Sequence, residues 1–160
     1  MTGTSKKKDL SLLEAKAKAA RYCAYQERTQ RQVRDKLYQL GLHTDEVENT
    51  LSELIQENYV NEERFARAYA GGKFRMKKWG RNKIKMGLKG LGLTDYCIRK
   101  GLEEIDEESY TIALQHLIEK KGETLGDTDP RERQHKLIRY LLSRGYENEL
   151  IREQLKFKAD

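Results

Sequence analysis

The chain contains one proline, two cysteines and three histidines in 160 residues, and aromatic residues make up 8 % of it. Each scarcity excludes something. Cys23 and Cys97 form neither a CxxC pair nor a disulfide framework, so a reducing cytoplasm is the expected setting and both thiols read as small helical hydrophobes. His43, His116 and His135 lie far apart without paired metal spacing, so no metal and no cofactor is expected. No apolar run approaches the ~20 residues of a membrane span, and none of secretory length follows the basic stretch Met1 to Asp9, so neither membrane insertion nor a signal peptide is expected. Apolar residues reach 37 % against a usual ~45–50 %, while charged ones reach 36 % against ~25 %. So little apolar material argues against one thick core and for thin helical layers that each bury a stripe.

Catalytic motifs fail in the same way. Gly71-Gly72-Lys73-Phe74 lacks the leading glycine of a phosphate loop and places Phe74 where a hydroxyl must reach magnesium. Gly90, Gly92 and Asp95 break the dinucleotide fingerprint at its third glycine, with no strand before them. The acids Glu103, Glu104, Asp106, Glu107 and Glu108 suit a helix start, where carboxylates meet the positive dipole end. No catalytic residue is assigned, and the chain is not expected to be an enzyme.

What is present is charge, and it is unevenly placed. The net charge of +6 is made of +6 over residues 1–43, −7 over 44–63, +11 over 64–100 and −4 over 101–160. A field so concentrated in the middle of a chain calls for an anionic partner.

A repeat is present as well. Around Gly41, Gly92 and Gly145, the offsets −8, −4, +1, +6 and +10 are apolar in every copy: Val33, Leu37, Leu42, Val47, Leu51; Ile84, Leu88, Leu93, Ile98, Leu102; Leu137, Leu141, Tyr146, Ile151, Leu155. The spacing of four before the glycine stacks side chains on one helical face, and the glycine suits a left-handed helix end. Thr44, Asp95 and Asn148 are placed to cap the next helix. Thr29 with Gln32, Asn61, and Asp129 with Pro130 and Glu132 mark further starts. A leading helix precedes each pair, with stripes of Leu13, Ala17, Ala20 and Ala24, of Phe65, Ala68 and Tyr69, and of Ala113, Leu117 and Lys120 after Tyr110 and Ile112. The expectation is an all-α fold. It is an elongated tandem array of three three-helix repeats over residues 10–58, 59–106 and 107–158, with a loose tail over 1–9 and an extended loop from Gly122 to Asp129.

The informative stretch runs from Lys73 to Lys89. With Ile84 and Leu88 turned inward, Arg81, Lys85 and Lys89 form an i, i+4, i+8 row of like charge, which costs about 0.2–0.5 kcal/mol per pair in a helix. The corresponding helices offset theirs, Arg31 with Asp35 and Glu132 with Lys136, whereas the middle row reads as uncompensated. Arg75, Lys77, Lys78, Trp79, Arg81, Lys83, Lys85 and Lys89 are therefore the candidate nucleic-acid and partner contacts, although a lone Trp79 at a module junction also reads as core. A helix-turn-helix mode, with each third helix in a groove of DNA, fits poorly. The segment 44–57 carries Asp45, Glu46, Glu48, Glu53 and Glu57 and no base.

These residues resemble the bacterial RecX family of recombinase regulators over about residues 15–157. Glu27-Arg28-Thr29 is similar to the family's Arg-x-Ser. Asn58 to Ala66 resembles Gly-Tyr-Leu-Asp-Asp-x-x-Phe-Ala, and Lys78 to Ile84 resembles Lys-x-Gly-x-x-Arg-Ile. Ser143-Arg144-Gly145-Tyr146 is similar to Arg-Arg-Gly-Phe. The chain departs from those patterns at Asn58, Asn61, Glu62 and Lys83. The resemblance implies a curved row of three-helix repeats and a non-enzymatic cytoplasmic protein. Such a protein binds the RecA filament, restrains its ATPase and strand exchange, and so acts in DNA repair and the SOS response. Partners so implied are RecA and single- or double-stranded DNA, with a monomer as the default state; a free-standing DNA-binding protein of helix-turn-helix-like modules is the alternative.

Overall fold

The computed structural model describes residues 11–126 and 129–159, with side chains as far as Lys156; the tail expected over residues 1–9 lies outside them. The described residues form nine helices and no strand. The first module comprises α1 (Leu12–Tyr25), α2 (Gln30–Gln39) and α3 (Thr44–Gln56), and the second α4 (Glu62–Lys77), α5 (Arg81–Gly90) and α6 (Asp95–Leu102). The third comprises α7 (Glu107–Thr124), α8 (Pro130–Ser143) and α9 (Asn148–Ala159).

The glycine repeat is a Schellman turn made three times. Gly41, Gly92 and Gly145 have φ of 93°, 88° and 97°. The next residue in each copy donates its N–H back to the carbonyl five residues earlier: Leu42 to Leu37 at 3.3 Å, Leu93 to Leu88 at 3.2 Å, Tyr146 to Leu141 at 3.2 Å. Those pairs are the offsets +1 and −4, whose apolar contact normally accompanies this turn. All the repeat's apolar positions are buried except Leu102, which is partly so and packs on the core.

Helix starts follow their signals with two adjustments. Thr29 Oγ1 accepts from Gln32 N at 3.1 Å while Gln32 Oε1 accepts from Thr29 N at 3.0 Å, a complete capping box. Asn61 caps Arg64 N at 2.9 Å. After the glycines, however, the cap falls one residue earlier than expected, at His43 and Thr94, with Thr44, Asp95 and Asn148 already helical. The inward +1 residue anchors the chain, so only one extended residue fits before the helix begins. Asp129 stands before Pro130 without a side-chain hydrogen bond to the first turn among the described residues.

Other expectations are corrected. In α1 the buried stripe is Ala15, Ala19 and Cys23, whereas Leu13 is 79 % exposed and Ala17 and Ala24 are exposed. The small residues Ala15, Ala19 and Cys23 pack into the core of the module, and in that rotation Lys16 reaches Glu53 at 3.2 Å and Glu57 at 2.5 Å. In α4 the buried set is Phe65, Ala66, Ala70, Gly71 and Phe74, with Ala68 exposed. In α7, Leu114 and Ile118 are inside while Ile112 and Lys120 face out. Gly122, read as loop, is a buried residue of α7.

The cores are two. Residues of the first module, closed by Val60, form one; the second and third modules share another. The shared core is bridged by rings: Phe74 and Tyr110 with centroids 5.8 Å apart, Tyr110 and Tyr146 at 5.0 Å. At this bridge the backbone of α5 meets the turn after α8. Gly80 N donates to Arg144 O at 2.7 Å and Asn82 N to Gly145 O at 2.9 Å. A Cβ on Gly80 would collide with the Gly145 carbonyl, and one on Gly145 with the Lys83 side chain.

Gly80→Ala and Gly145→Ala should each lower stability by roughly 2 kcal/mol or more in urea unfolding, by overpacking and, at Gly145, by backbone strain as well. Their costs should not add, because both substitutions open the same contact. Gly72→Ala, with nothing within 4 Å of the added carbon, should be neutral or stabilising by up to about 1 kcal/mol.

Candidate nucleic-acid and partner interface

Charge in the middle of the chain is sorted by the fold into cations that hold modules together and cations that face solvent. Arg64 is of the first kind. Its Nε donates to Glu27 at 2.6 Å and its Nη2 to the carbonyls of Asn58 and Tyr59 at 3.1 and 3.3 Å. Arg67 is surrounded by Glu63, Glu103 and Glu104 at 3.7, 3.6 and 3.4 Å. Asp106 caps α7 through Ser109 N at 3.0 Å, so the acidic run from Glu103 is largely committed to internal partners.

Arg81 belongs here too, which corrects its assignment to an uncompensated row. Its side chain is 19 % exposed and bonded to Glu147 at 2.8 Å and Glu107 at 2.6 Å, with the guanidinium 3.9 Å from the Tyr110 ring centroid. Tyr110 accepts from Arg81 N at 2.9 Å and donates to the second oxygen of Glu147. Spacing along α5 cannot reveal acids that arrive from α7 and from the turn before α9. Arg31, expected to offset Asp35, instead donates to Gly90 O at 3.1 Å across the first junction. Glu132 and Lys136 do pair, at 3.5 Å.

The candidate residues that remain divide into two groups. At 100° per residue, Lys83 lies on one side of the inward Ile84–Leu88 line and Lys85 with Lys89 on the other. On the first side Trp79, partly buried against the core, is ringed by cations. Lys83, Lys73 and Lys77 place their Nζ atoms 4.7, 5.0 and 5.7 Å from its ring centroid. None of the three makes an ion pair among the described residues. Lys78, its Nζ 5.8 Å from the Phe74 ring, and Arg75 are exposed nearby. Lys78 ends α4 with φ of 56°, a left-handed turn held by Tyr146, whose hydroxyl donates to Lys78 O at 2.9 Å. Lys85 and Lys89 instead line a groove between α5 and α6 with Met86, Ile98 and Arg99. Sequence reasoning left out Lys73 and Arg99. Lys73 opens the basic stretch without being among the candidate contacts, and Arg99 shows its place only when α6 is packed beside α5.

Family models for the first, second and third three-helix domains of RecX match residues 15–54, 61–102 and 107–155. The chain belongs to the RecX family. The chain is 32 % identical over 141 residues to "Regulatory protein RecX" of Clostridium perfringens, covering 87 % of this chain and 66 % of that one. It is 31 % identical over 148 residues to the protein of the same name from Clostridium acetobutylicum, covering 90 % and 68 %. It thus spans about two thirds of the length of these curated relatives. The crystal structure of RecX from Lactobacillus salivarius superposes with a TM-score of 0.84 at 24 % identity, covering 91 % of this chain and 94 % of that one. A second, "Crystal structure of regulatory protein RecX", gives 0.76 at 21 %, covering 89 % and 73 %.

In this RecX chain the family-like motifs meet in pairs. Glu27 and Gln30 of the first module hold Arg64 and Glu62 of the second, the Gln30 N–H donating to Glu62 at 3.0 Å. Lys78 to Ile84 and Ser143 to Tyr146 are the two sides of the Gly80–Gly145 crossing, where Arg144 also donates to the Lys77 carbonyl. Asn58, at φ of 66° where the family favours glycine, occupies a left-handed position that asparagine tolerates better than most residues.

Arg81→Ala should cost about 2–3 kcal/mol of stability, because it leaves Glu147 half-buried without its cation, while Lys85→Ala should stay within about 0.5 kcal/mol; urea unfolding followed by circular dichroism measures both. Burial, reinforced by the bond to Glu147, holds the Tyr110 hydroxyl far above its ordinary value of about 10, and burial pushes Tyr146 up to about 12. Both groups favour the neutral form in the folded chain, so their contribution is complete below pH ~10 and is lost as pH rises through the folded values. Tyrosinate absorbance should therefore climb in two stages, the second together with loss of helicity. A single stage with helicity intact would show that neither ring is locked.

Proposed function

We propose that this chain binds the RecA recombinase and its filament on DNA and mostly inhibits recombinase activity in the cytoplasm, acting as a monomer without cofactor or catalysis. Membership of a family whose curated members are named regulatory proteins supports a regulator. The lysines about Trp79 are the observation that supports contact with the nucleic-acid part of a filament. Their ammonium groups converge without carboxylate partners, and the partly exposed indole beside them gives an unpaired base a surface to stack on. Lys85 and Lys89 stand apart from that cluster and suit a different surface of the partner. Domain limits of 10–58, 59–106 and 107–158 go with this reading, as does contact along the middle of the array in place of three recognition helices. In α3, Glu48 and Glu53 are engaged within the first module, as is Glu57 just after it, and the remaining acids of α3 would repel phosphates.

The deciding measurement is RecA ATPase on single-stranded DNA with and without this chain. Repression at stoichiometric amounts is expected. No effect at several-fold excess over filament, with DNA binding retained, leaves a free-standing DNA-binding protein. For the site itself, Lys73→Gln with Lys77→Gln and Lys83→Gln should reduce the slope of log affinity against log salt on single strands by about 2, at about 0.7 per lost phosphate contact, with unchanged helicity. An unchanged slope would move the DNA contact elsewhere.

A further inference from the structure

The repeat brings the same groove, between the middle and third helices, into each module, and the three grooves differ in one respect. At offsets −7 and +7 from the glycine the first module has Arg34 and Glu48, which join in a two-point ion pair of 2.8 and 3.1 Å across the groove. Tyr38, at −3, adds a bond to Thr44 Oγ1 at 3.3 Å, so side chains bridge the groove at both points. In the second module the same offsets hold Lys85 and Arg99, two cations that cannot clasp, with Lys89 at −3. The result is an open groove of about 530 Å³, its apolar part formed by Ile98 and by Met86, which is 74 % exposed. In the third module Ile138 and Arg152 take those offsets and Leu142, 45 % exposed, the −3 position, leaving a groove of about 610 Å³ rimmed by Arg131, Arg139 and Arg152. Among the described residues, Lys85, Lys89, Arg99, Arg131, Arg139 and Arg152 make no ion pair, and Asp95 is the one carboxylate lining either groove.

We infer that the second- and third-module grooves are paired docking sites for short acidic protein segments that carry an apolar side chain at each groove, the first-module copy being shut by its Arg34–Glu48 clasp. The rims choose negative charge, and the floors choose protein over nucleic acid. Methionine, isoleucine and leucine offer an aliphatic surface for a leucine-like anchor; no ring lines the second-module groove, and the single imidazole of His135 is the ring lining the third. Two equivalent sites on one rigid pair of modules suit a partner that presents the same segment repeatedly, as neighbouring subunits of a filament do, and gain from effective concentration when both engage. In that last respect the inference rests on the function proposed above; the chemistry of the grooves does not.

The test uses the full chain and a fluorescein-labelled peptide of glutamates with leucines at helical spacing. A peptide with serines for leucines and a labelled oligothymidylate serve as the other probes. The leucine peptide should bind at least about tenfold more tightly than the serine peptide, the value of burying roughly one leucine. Lys85→Arg with Arg99→Glu transplants the clasp into the second module, and Ile138→Arg with Arg152→Glu into the third. Together they should weaken the leucine peptide by tenfold or more and leave oligothymidylate binding as it was. If the clasped chain loses helicity, Lys89→Glu with Leu142→Glu puts acids on both rims at exposed positions and should produce the same loss. Equal affinity for the leucine and serine peptides, undiminished peptide binding by the variants, or a matching loss of oligothymidylate binding each overturns the inference. RecA ATPase separates the two proposals. Repression by the clasped chain equal to the native level refutes the grooves as the protein contact, whereas peptide binding without any repression by the native chain refutes the function.

Discussion

The close approach of Gly80 to Gly145 is the constraint on which the shape of the basic region depends. In this geometry a Cβ on Gly80 would strike the Gly145 carbonyl and one on Gly145 would strike Lys83, so the backbone exchange needs glycine at both positions, and that contact sets the N-terminus of α5 against the turn after α8. Everything around it follows. Tyr110 and Tyr146 stack beneath the crossing, Tyr146 holds the left-handed Lys78, and that turn carries Trp79 out to the edge of the core where the lysines of α4 and α5 meet.

The first junction is built differently. It rests on Arg64 with Glu27, on Glu62 receiving the first N–H of α2, and on Arg31 reaching Gly90, with separate apolar cores on either side. Charge-assisted bonds at a half-exposed surface weaken as salt rises, while a shared apolar core does not. The second and third modules therefore form one body, to which the first is attached by polar contacts. The two open grooves both lie on that body, so their separation is fixed by the shared core.

Much of this was readable from residues alone, and the reason is specific. The offsets −4 and +1 are the two ends of a Schellman turn, so the repeat encodes a local geometry that needs no tertiary information, and Leu37 with Leu42 announces it as clearly as Leu141 with Tyr146. The first helix was not readable in the same way. Ala15, Ala17, Ala19, Ala20 and Ala24 put small apolar residues on both faces of α1, so its rotation is set by packing within the module, which Lys16 joins through Glu53 and Glu57. Arg81 was misassigned because the acids that neutralise it are 26 and 66 residues away in the chain, beyond any helical spacing. The merger of two cores was invisible too, since a three-fold pattern describes each module equally and says nothing of which neighbours share rings.

Residue type bears on which cations the fold consumes. Among the basic residues from Arg64 to Lys100, those bound to two or more carboxylate or carbonyl groups are arginines, Arg64 and Arg81 at the module contacts and Arg67 within the second module, whereas Arg75 and Arg99 make no ion pair among the described residues. The lysines Lys73, Lys77, Lys83, Lys85 and Lys89 make no ion pair among the described residues. A planar guanidinium with five donors can serve several carboxylates and carbonyls at once and is only weakly hydrated, so it is suited to half-buried junctions. An ammonium is strongly hydrated and compact, and it stays in water unless a partner replaces that water. The middle of the chain thus keeps its positive field not because it lacks acids nearby, but because Arg64, Arg67 and Arg81 engage the acids that neighbouring helices and turns bring.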